Sequence, residues 1–458
     1  MLAGPTLLGK VLVANRGEIA ARVLRACRES GIATVAVCSE ADRDSPYIGL
    51  ADEVREIGGP KVTDSYLNLD RILEVAAQTG AQAIHPGYGF FAESSRLVRR
   101  IEEAGLTFVG PTSASIALMG DKLAARRVAA EAGVPLLPGT DAVEGAEDIK
   151  RLGQEIGYPL ILKPAAGGGG IGMAIVRDEA GLERAYTTAV RLGQTLFGSA
   201  AVYLEAFLTG ARHVEIQLIA DHHGRCVHLG ERECSLQRRS QKLVEETPST
   251  AVDDGVRREM AEAALRLARA IGYGNAGTME FLLGPDRRFY FLEMNTRIQV
   301  EHPVTEMVTG IDLVREQLRV AAGLPLSFAQ DDVRPRGHAI ECRIYAEDPD
   351  RNFLPSTGQI TRFDPPSGPG VRLDSGVAAG SQVSIYYDPM LCKLIVWDRD
   401  RDAATVRMLR ALGELRIEGV RTTRELLMKI FDSGEWRAAQ LHTRLLEETL
   451  LPRLKKSA

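Results

Sequence analysis

The sequence predicts an α/β and α+β protein, in which a doubly wound parallel α/β unit is followed by a largely antiparallel body. Three observations carry that prediction. Short β-like runs alternate with helical patterns from Lys10 to about Pro111, a glycine run lies between two further β-like runs, and beyond Ala201 apolar runs pair around polar turns. At 458 residues the chain has room for about two to four domains. Its 45% hydrophobic and 26% charged residues are those of an ordinary globular protein. A net charge of −5 leaves no basic footprint for nucleic acid or an anionic membrane, so an anionic substrate has to meet local positive charge. Six cysteines without a CxxC pair, no signal segment and no apolar run of about 18 residues point to the cytoplasm.

The parallel unit is read from strands at residues 11–13, 34–37, 83–84 and 107–109, with an edge strand near 54–57. Ile19, Val23, Ala26 and Cys27 keep helical spacing, as do Leu69, Ile72, Leu73 and Ala76. Loops at the carboxyl ends of such strands line a crevice, which singles out His85-Pro86-Gly87-Tyr88-Gly89. Residues 119–132 read as one helix carrying Lys122, stopped by Gly133 and Pro135. A strand at 160–163, glycines at 167–170 with Gly172, a strand at 173–176 and a helix over 179–191 form a small unit, expected to be a lid hinged at 135–138 and 193–198.

The antiparallel body is expected to begin with strands at 202–205, 214–220 and 226–230, followed by a helix over 256–271. His222, His223, Cys226 and His228 lie at the 221–225 turn, which reads as a polar hairpin turn rather than a metal site. Strands 278–283 and 289–294 pair around Gly284-Pro285-Asp286-Arg287, and helices follow at 304–309 and 313–322. Past Arg334-Pro335-Arg336, short strands and helices at 403–412 and 422–431 read as a smaller α+β domain packed on the rest. The expected domains are 1–115, 116–333 with a lid over about 134–203, and 334–448, followed by a tail at 449–458.

Candidate chemistry centres on Glu-Met-Asn-Thr-Arg-Ile-Gln-Val-Glu at 293–301. As an extended chain it places Glu293, Asn295, Arg297, Gln299 and Glu301 on one face. Such a row leaving an apolar segment, 289–292, is costly unless it binds something. A hairpin turning between Asp286 and Arg287 sets Glu280 opposite Glu293, and with Asn295 they make an all-oxygen set suited to Mg²⁺. Lys163 at the mouth of the glycine loop, with Lys122, suits phosphate. The charge-dense run 231–242 reads either as a solvated loop or as part of a site.

These stretches resemble the biotin carboxylase component of biotin-dependent carboxylases, in the ATP-grasp superfamily. The resemblance is carried by Ala14-Asn15-Arg16-Gly17-Glu18-Ile19-Ala20, His85–Phe90, Met119-Gly120-Asp121-Lys122, the glycine loop, Gln237-Arg238-Arg239, 293–303 and Glu341-Cys342-Arg343-Ile344, in the family's order. It implies an ATP-grasp fold with ATP held by Lys122, Lys163, Gly169, Gly170, His213, Gln237 and Ser240, and a hinge at Glu205, Ala206, Phe207 and Leu208 that meets adenine. It implies Mg²⁺ or Mn²⁺ on Glu280, Glu293 and Asn295, and bicarbonate on Lys242, Arg297, Gln299 and the backbone of Val300. Glu301 matches the base that deprotonates bicarbonate, and Arg343 the group that stabilises biotin's anion. The implied reaction carboxylates biotin through carboxyphosphate, which calls for cations rather than a protein nucleophile.

Ile171 stands where the family usually carries Arg or Lys, Ala166 where glycine is common and Ser240 where many relatives have His or Asn, which predicts surviving activity with altered nucleotide affinity or lid equilibrium. No Ala-Met-Lys-Met segment occurs, so biotin is expected on a separate carrier protein, with separate carboxyltransferase subunits and a homodimeric chain. Acetyl-CoA is the first acceptor expected, with propionyl-CoA, other acyl-CoAs and pyruvate open. The competing readings are another ATP-grasp ligase and a regulatory nucleotide-binding subunit.

Overall fold

In the computed structural model, residues 8–143, 145–165 and 172–456 are described. The first sheet is parallel throughout, with strands β1 (Lys10–Val13), β2 (Ala33–Cys38), β3 (Glu53–Glu56), β4 (Ala83–His85) and β5 (Thr107–Phe108) in the order β3-β2-β1-β4-β5. β3 is the edge, as its charge-rich sequence predicts. Helices α1 (Gly17–Glu29) and α2 (Leu69–Thr79) bury the apolar stripes read from the sequence, and α3 (Ser95–Glu103) and α4 (Ser113–Gly120) are additional. The single helix expected at 119–132 is two: α4 ends at Gly120 and α5 (Lys122–Glu131) starts afresh. Between them Asp121 is extended, and its carboxylate caps the amides of Leu123 and Ala124 at 3.0 Å each.

A second, three-stranded sheet has the order β7-β6-β8, from β6 (Leu160–Pro164), β7 (Ala174–Val176) and β8 (Val202–Ala206). Helices α6 (Ala146–Ile156), which the sequence reading missed, and α7 (Glu179–Phe197) cover it and enclose a core of their own, including Ile149, Leu160, Leu162, Leu182 and Leu204. Two expectations are corrected here. α7 runs through Gly193 to its left-handed cap at Gly198, so 193–198 is mostly helix rather than hinge. The strand expected to open the antiparallel body is β8, which pairs with β6 in this small sheet instead.

The largest sheet has eight strands. Its first six are β13 (Phe289–Asn295), β12 (Asn275–Leu283), β9 (Arg212–Ala220), β10 (Cys226–Arg238), β11 (Gln241–Thr247) and β14 (His338–Tyr345), followed by Met390–Asp398 and Val371–Ser375. The expected C-terminal domain joins the central body edge to edge, because β14 pairs with β11. Helices α11 (Arg401–Glu414) and α12 (Arg424–Phe431) cover that end, with Met408, Leu412 and Leu427 packed on Ile340, Cys342 and Leu394. α8 (Asp254–Ala270) packs under β9 and β12, and α9 (His302–Thr309) and α10 (Leu313–Ala321) follow β13. Ile19, Val23 and Leu24 of α1 share a core with Ile298 and with Leu313 and Leu318 of α10, which fixes the parallel unit against the large sheet.

The charge-dense run 231–242 is no solvated loop. It forms the end of β10, a turn at Arg239-Ser240 with φ 49 and 66, and the start of β11; Glu231, Arg232 and Glu233 are buried. Among the described residues no helix is long and apolar enough to cross a membrane, and all six cysteines are free thiols.

Candidate active site

β13 carries the first polar residues of 293–301, and the sheet ends there. The extended row expected as far as Glu301 stops at Asn295. Ile298 dives into the core shared with α1 and α10, and α9 begins at His302 with Pro303 in its first turn, where a missing N–H costs nothing. β13 is also an edge strand rather than a central one, and Tyr290 and Leu292 are only half-buried. Glu280 nevertheless faces Glu293. Leu283 pairs with Phe289 and Phe281 with Phe291, and a bulge between Glu280 and Phe281 then shifts the register by one. The hairpin turns on Asp286 rather than between Asp286 and Arg287, and the bulge restores the facing carboxylates.

The predicted residues converge on one cavity of about 780 Å³ between the small sheet and the large one. Lys122, Lys163, Glu205, Ala206, Leu208, His213, Gln237, Ser240, Lys242, Glu280, Glu293, Asn295, Arg297, Gln299, Val300, Glu301 and Arg343 all line it. Gly169 and Gly170, with Ala166 and Ile171, lie outside the described residues.

At its centre the Lys242 ammonium donates to Glu215 Oε2 at 2.7 Å, Glu280 Oε1 at 2.9 Å and Glu301 Oε1 at 2.6 Å. Arg343 donates to Glu301 Oε2 at 2.9 Å and through Nε to Glu245 Oε1 at 2.7 Å. Burial would raise the Glu301 carboxyl, but Lys242, Arg343 and Arg232 outweigh it and hold Glu301 well below the usual carboxylate range. Glu280 is held low in the same contest between burial and Lys242 with His213. Glu293 goes the other way: burial first, then the facing Glu280, raise it. The two carboxyls of the hairpin are thus driven apart by their surroundings.

Arg297 donates to Glu93 Oε2 at 3.0 Å and to Asn295 Oδ1 at 2.8 Å. Glu93 comes from the loop after β4, so that loop reaches the crevice through Glu93, whereas the His85–Gly89 stretch singled out from the sequence does not line it. Gln299 bridges Glu280, at 2.8 Å, and Arg232, at 2.6 Å. His213 lies 3.1 Å from Glu280 Oε2 and shares a hydrogen bond with Gln237 at 3.0 Å. Deeper towards the small sheet, Glu205 binds both Lys163 and Arg126. Burial, opposed by Glu293, lowers the Lys122 ammonium. Ser240 is exposed at the cavity rim in the left-handed region, where Asn and His are at home and Ser less so.

For a divalent cation, Glu280, Glu293 and Asn295 are an all-oxygen donor set. The Glu293 carboxylate makes no hydrogen bond or ion pair among the described residues, so it is available, whereas Asn295 Oδ1 is held by Arg297. The set fits a hard ion.

Sequence reasoning missed Glu215, Arg232, Glu93 and Glu245. Arg232 is fully buried, with its guanidinium spread over Glu215 (2.6 Å), Gln217 (2.7 Å), Thr305 (3.0 Å) and Gln299. The signal existed: His213, Glu215 and Gln217 alternate with Val214, Ile216 and Leu218, the same period-two pattern that exposed Glu293 and Asn295.

Comparison with known proteins gives three consecutive family matches. They are described as Biotin carboxylase, N-terminal domain, over residues 7–116; Carbamoyl-phosphate synthase L chain, ATP binding domain, over 121–329; and Biotin carboxylase C-terminal domain, over 341–448. Among curated relatives, a pyruvate carboxylase component of Methanothermobacter thermautotrophicus is 51% identical over 96% of this chain and 90% of its own. Biotin carboxylase 1 of Bacillus subtilis is 49% identical over 96% and 98%. Among solved structures, the biotin carboxylase domain dimer of Hydrogenobacter thermophilus 2-oxoglutarate carboxylase, with MgADP, ADP and bicarbonate, superposes with TM-score 0.94 at 46% identity, covering 96% of this chain and 97% of that one. The biotin carboxylase–β-γ-ATP complex from Campylobacter jejuni gives 0.94 at 45%, covering 96% and 98%.

Proposed function

The chain belongs to the biotin carboxylase family, and on that premise we propose that it carries out the ATP- and bicarbonate-dependent carboxylation of biotin held on a separate carrier protein. It is a ligase with an ATP-grasp fold. The observation that carries the residue roles is the Lys242–Glu301–Arg343 junction, set beside the facing carboxylates of Glu280 and Glu293 in one cavity.

Lys122 and Lys163 meet the phosphates of ATP, and Ala206 and Leu208 its base. Glu280 and Glu293, with Asn295, would hold Mg²⁺, which when bound neutralises charge on the transferring phosphoryl group. Bicarbonate takes the place next to Lys242, Arg297, Gln299 and the Val300 amide; a guanidinium can grip such a planar anion at two points. Glu301 takes its proton. Lys242 and Arg343 keep Glu301 ionised at rest but weaken it as a base. Bicarbonate drawing Lys242 onto itself removes the largest of those restraints and raises the basicity of Glu301 when the proton must move. The attack on ATP gives carboxyphosphate and ADP. Transfer of the carboxyl group releases phosphate, which takes the N–H proton of biotin, and Arg343, one contact away from Glu301, neutralises the biotin anion that accepts the carboxyl group. Closure of the small-sheet unit over the cavity keeps water from carboxyphosphate.

The carrier and a carboxyltransferase are the proposed partners, and a dimer of this chain the proposed assembly; the Hydrogenobacter relative is a dimer. Free thiols throughout support a cytoplasmic setting. Acetyl-CoA is the acceptor proposed for testing first, although relatives are named for pyruvate, propionyl-CoA and 2-oxoglutarate. ADP release is the test: free biotin should stimulate it only when bicarbonate is present. Release that ignores both would sink the proposal. Co-purification of carrier and transferase identifies the acceptor.

A further inference from the structure

Lys393 does not line the cavity, yet it touches the turn that does. It lies in the strand Met390–Asp398, directly opposite Arg343 on β14, and is fully buried. Its ammonium donates to the Val300 carbonyl at 2.8 Å and lies 3.2 Å from Glu18 Oε2 on α1 and 4.0 Å from Asp374. Glu18 is fixed in turn by the Tyr88 hydroxyl, whose ring sits 5.9 Å from the same ammonium. A wholly buried ammonium is costly, and packing alone is met more cheaply by Met or Leu at such a place.

The Val300 carbonyl is one of two anchors on this turn. The Gln299 carbonyl accepts from His302 Nδ1 at 2.8 Å. Burial, with Lys393 and Arg22 nearby, holds His302 neutral, which suits a single Nδ1–H donor. In a trans peptide the carbonyl and the next N–H point in opposite directions. Pinning Gln299 C=O to His302 therefore turns the Val300 N–H the other way, and pinning Val300 C=O to Lys393 fixes the following peptide, which leads into Glu301. Both anchors pull from behind the cavity wall.

We propose that Lys393 is a positioning residue for the bicarbonate site, setting the peptides of Gln299, Val300 and Glu301 from outside the cavity by tying Val300 to Glu18. The inference rests on the function proposed above. Because Glu18, Val300 and Lys393 belong to three distant segments, the bicarbonate site is complete only when all three are packed together.

The test is Lys393→Met, which keeps length and volume but removes the donor. Steady-state ADP release is titrated separately in bicarbonate and in ATP, alongside a thermal melt. The expected result is a KM for bicarbonate raised by about tenfold or more, with the KM for ATP within about twofold of wild type, because only one of the two sites loses its geometry. An unchanged bicarbonate KM overturns the proposal. So does a parallel rise in both KM values with a lowered melting point, which is what simple structural glue produces. If Lys393→Met does not fold, Glu18→Gln decides: it keeps the acceptor for Tyr88, weakens the hold on Lys393 and is expected to raise the bicarbonate KM alone, about threefold. No change there overturns the proposal equally. Wild-type protein that releases ADP without regard to bicarbonate would instead overturn the functional reading, so the two failures are distinguishable.

Discussion

Replacing Glu301 by Gln removes one negative charge from a junction that holds Lys242 at 2.6 Å and Arg343 at 2.9 Å, with Arg232 close by. The amide keeps an acceptor oxygen for Lys242, which also retains Glu215 and Glu280, and Arg343 retains Glu245. No cation is stranded, so the stability cost is about 1–3 kcal/mol rather than that of a lone buried charge. The proposed proton acceptor, however, is gone. General-base catalysis contributes about 10²–10⁴-fold, so biotin-dependent turnover should fall by about 3–5 kcal/mol in barrier terms. The residues proposed to meet ATP, such as Lys163 and Glu205, do not contact Glu301, so ATP affinity by titration calorimetry should stay within about threefold. Two results would refute the reasoning: turnover within about tenfold of wild type, or ATP affinity falling in step with it.

Three further outcomes are expected. Glu293→Gln should raise the free Mg²⁺ needed for half-maximal ATP cleavage by about tenfold or more, and coincident Mg²⁺ titrations would remove Glu293 from the cation site. Arg232→Met should lower stability in urea by about 3–5 kcal/mol, because buried Glu215 is left with Lys242 as its one cation among the described residues, and Gln217, Thr305 and Gln299 lose their donor together; a loss under about 1 kcal/mol would show that the network does not depend on it. Burial, countered by Arg343, lifts the Glu245 carboxyl to about 7. A raised carboxyl favours the folded state below the ordinary value and loses that contribution as pH climbs through about 7, so Glu245→Gln should flatten the decline in urea stability between about pH 5 and 7.5, by about 1 kcal/mol per pH unit. Parallel profiles for the two proteins would contradict the shift.

Much of the parallel unit was legible because each strand and helix carries its own apolar period, and β1 to β5 fall where Val11, Val35, Val54, Ile84 and Phe108 place them. The lid-like unit was half legible: β6 and β7 were found, but α6 was missed, since its first turn holds Glu147 and Asp148 and few apolar residues. The facing of Glu280 and Glu293 was correct although the turn was not centred where the count put it. A one-residue bulge, which alternation cannot forecast, restored the pairing.

Arg232 was illegible as part of a site for a different reason. A run of charges in sequence reads as solvent-facing, and only neighbours from elsewhere make the burial of Arg232 tolerable: Glu215 and Gln217 from β9 and Gln299 from the turn before α9. The sequence by itself determined which residue types stand in alternation, and hence the expectation that 293–301 meets a ligand. Tertiary structure alone decided that the extended chain stops at Asn295, that β14 and its neighbours continue the same sheet, and that Lys393 stands behind Val300. Periodicity is set within a few residues along the chain, whereas the energy of a buried charge depends on partners brought in from dozens to hundreds of residues away.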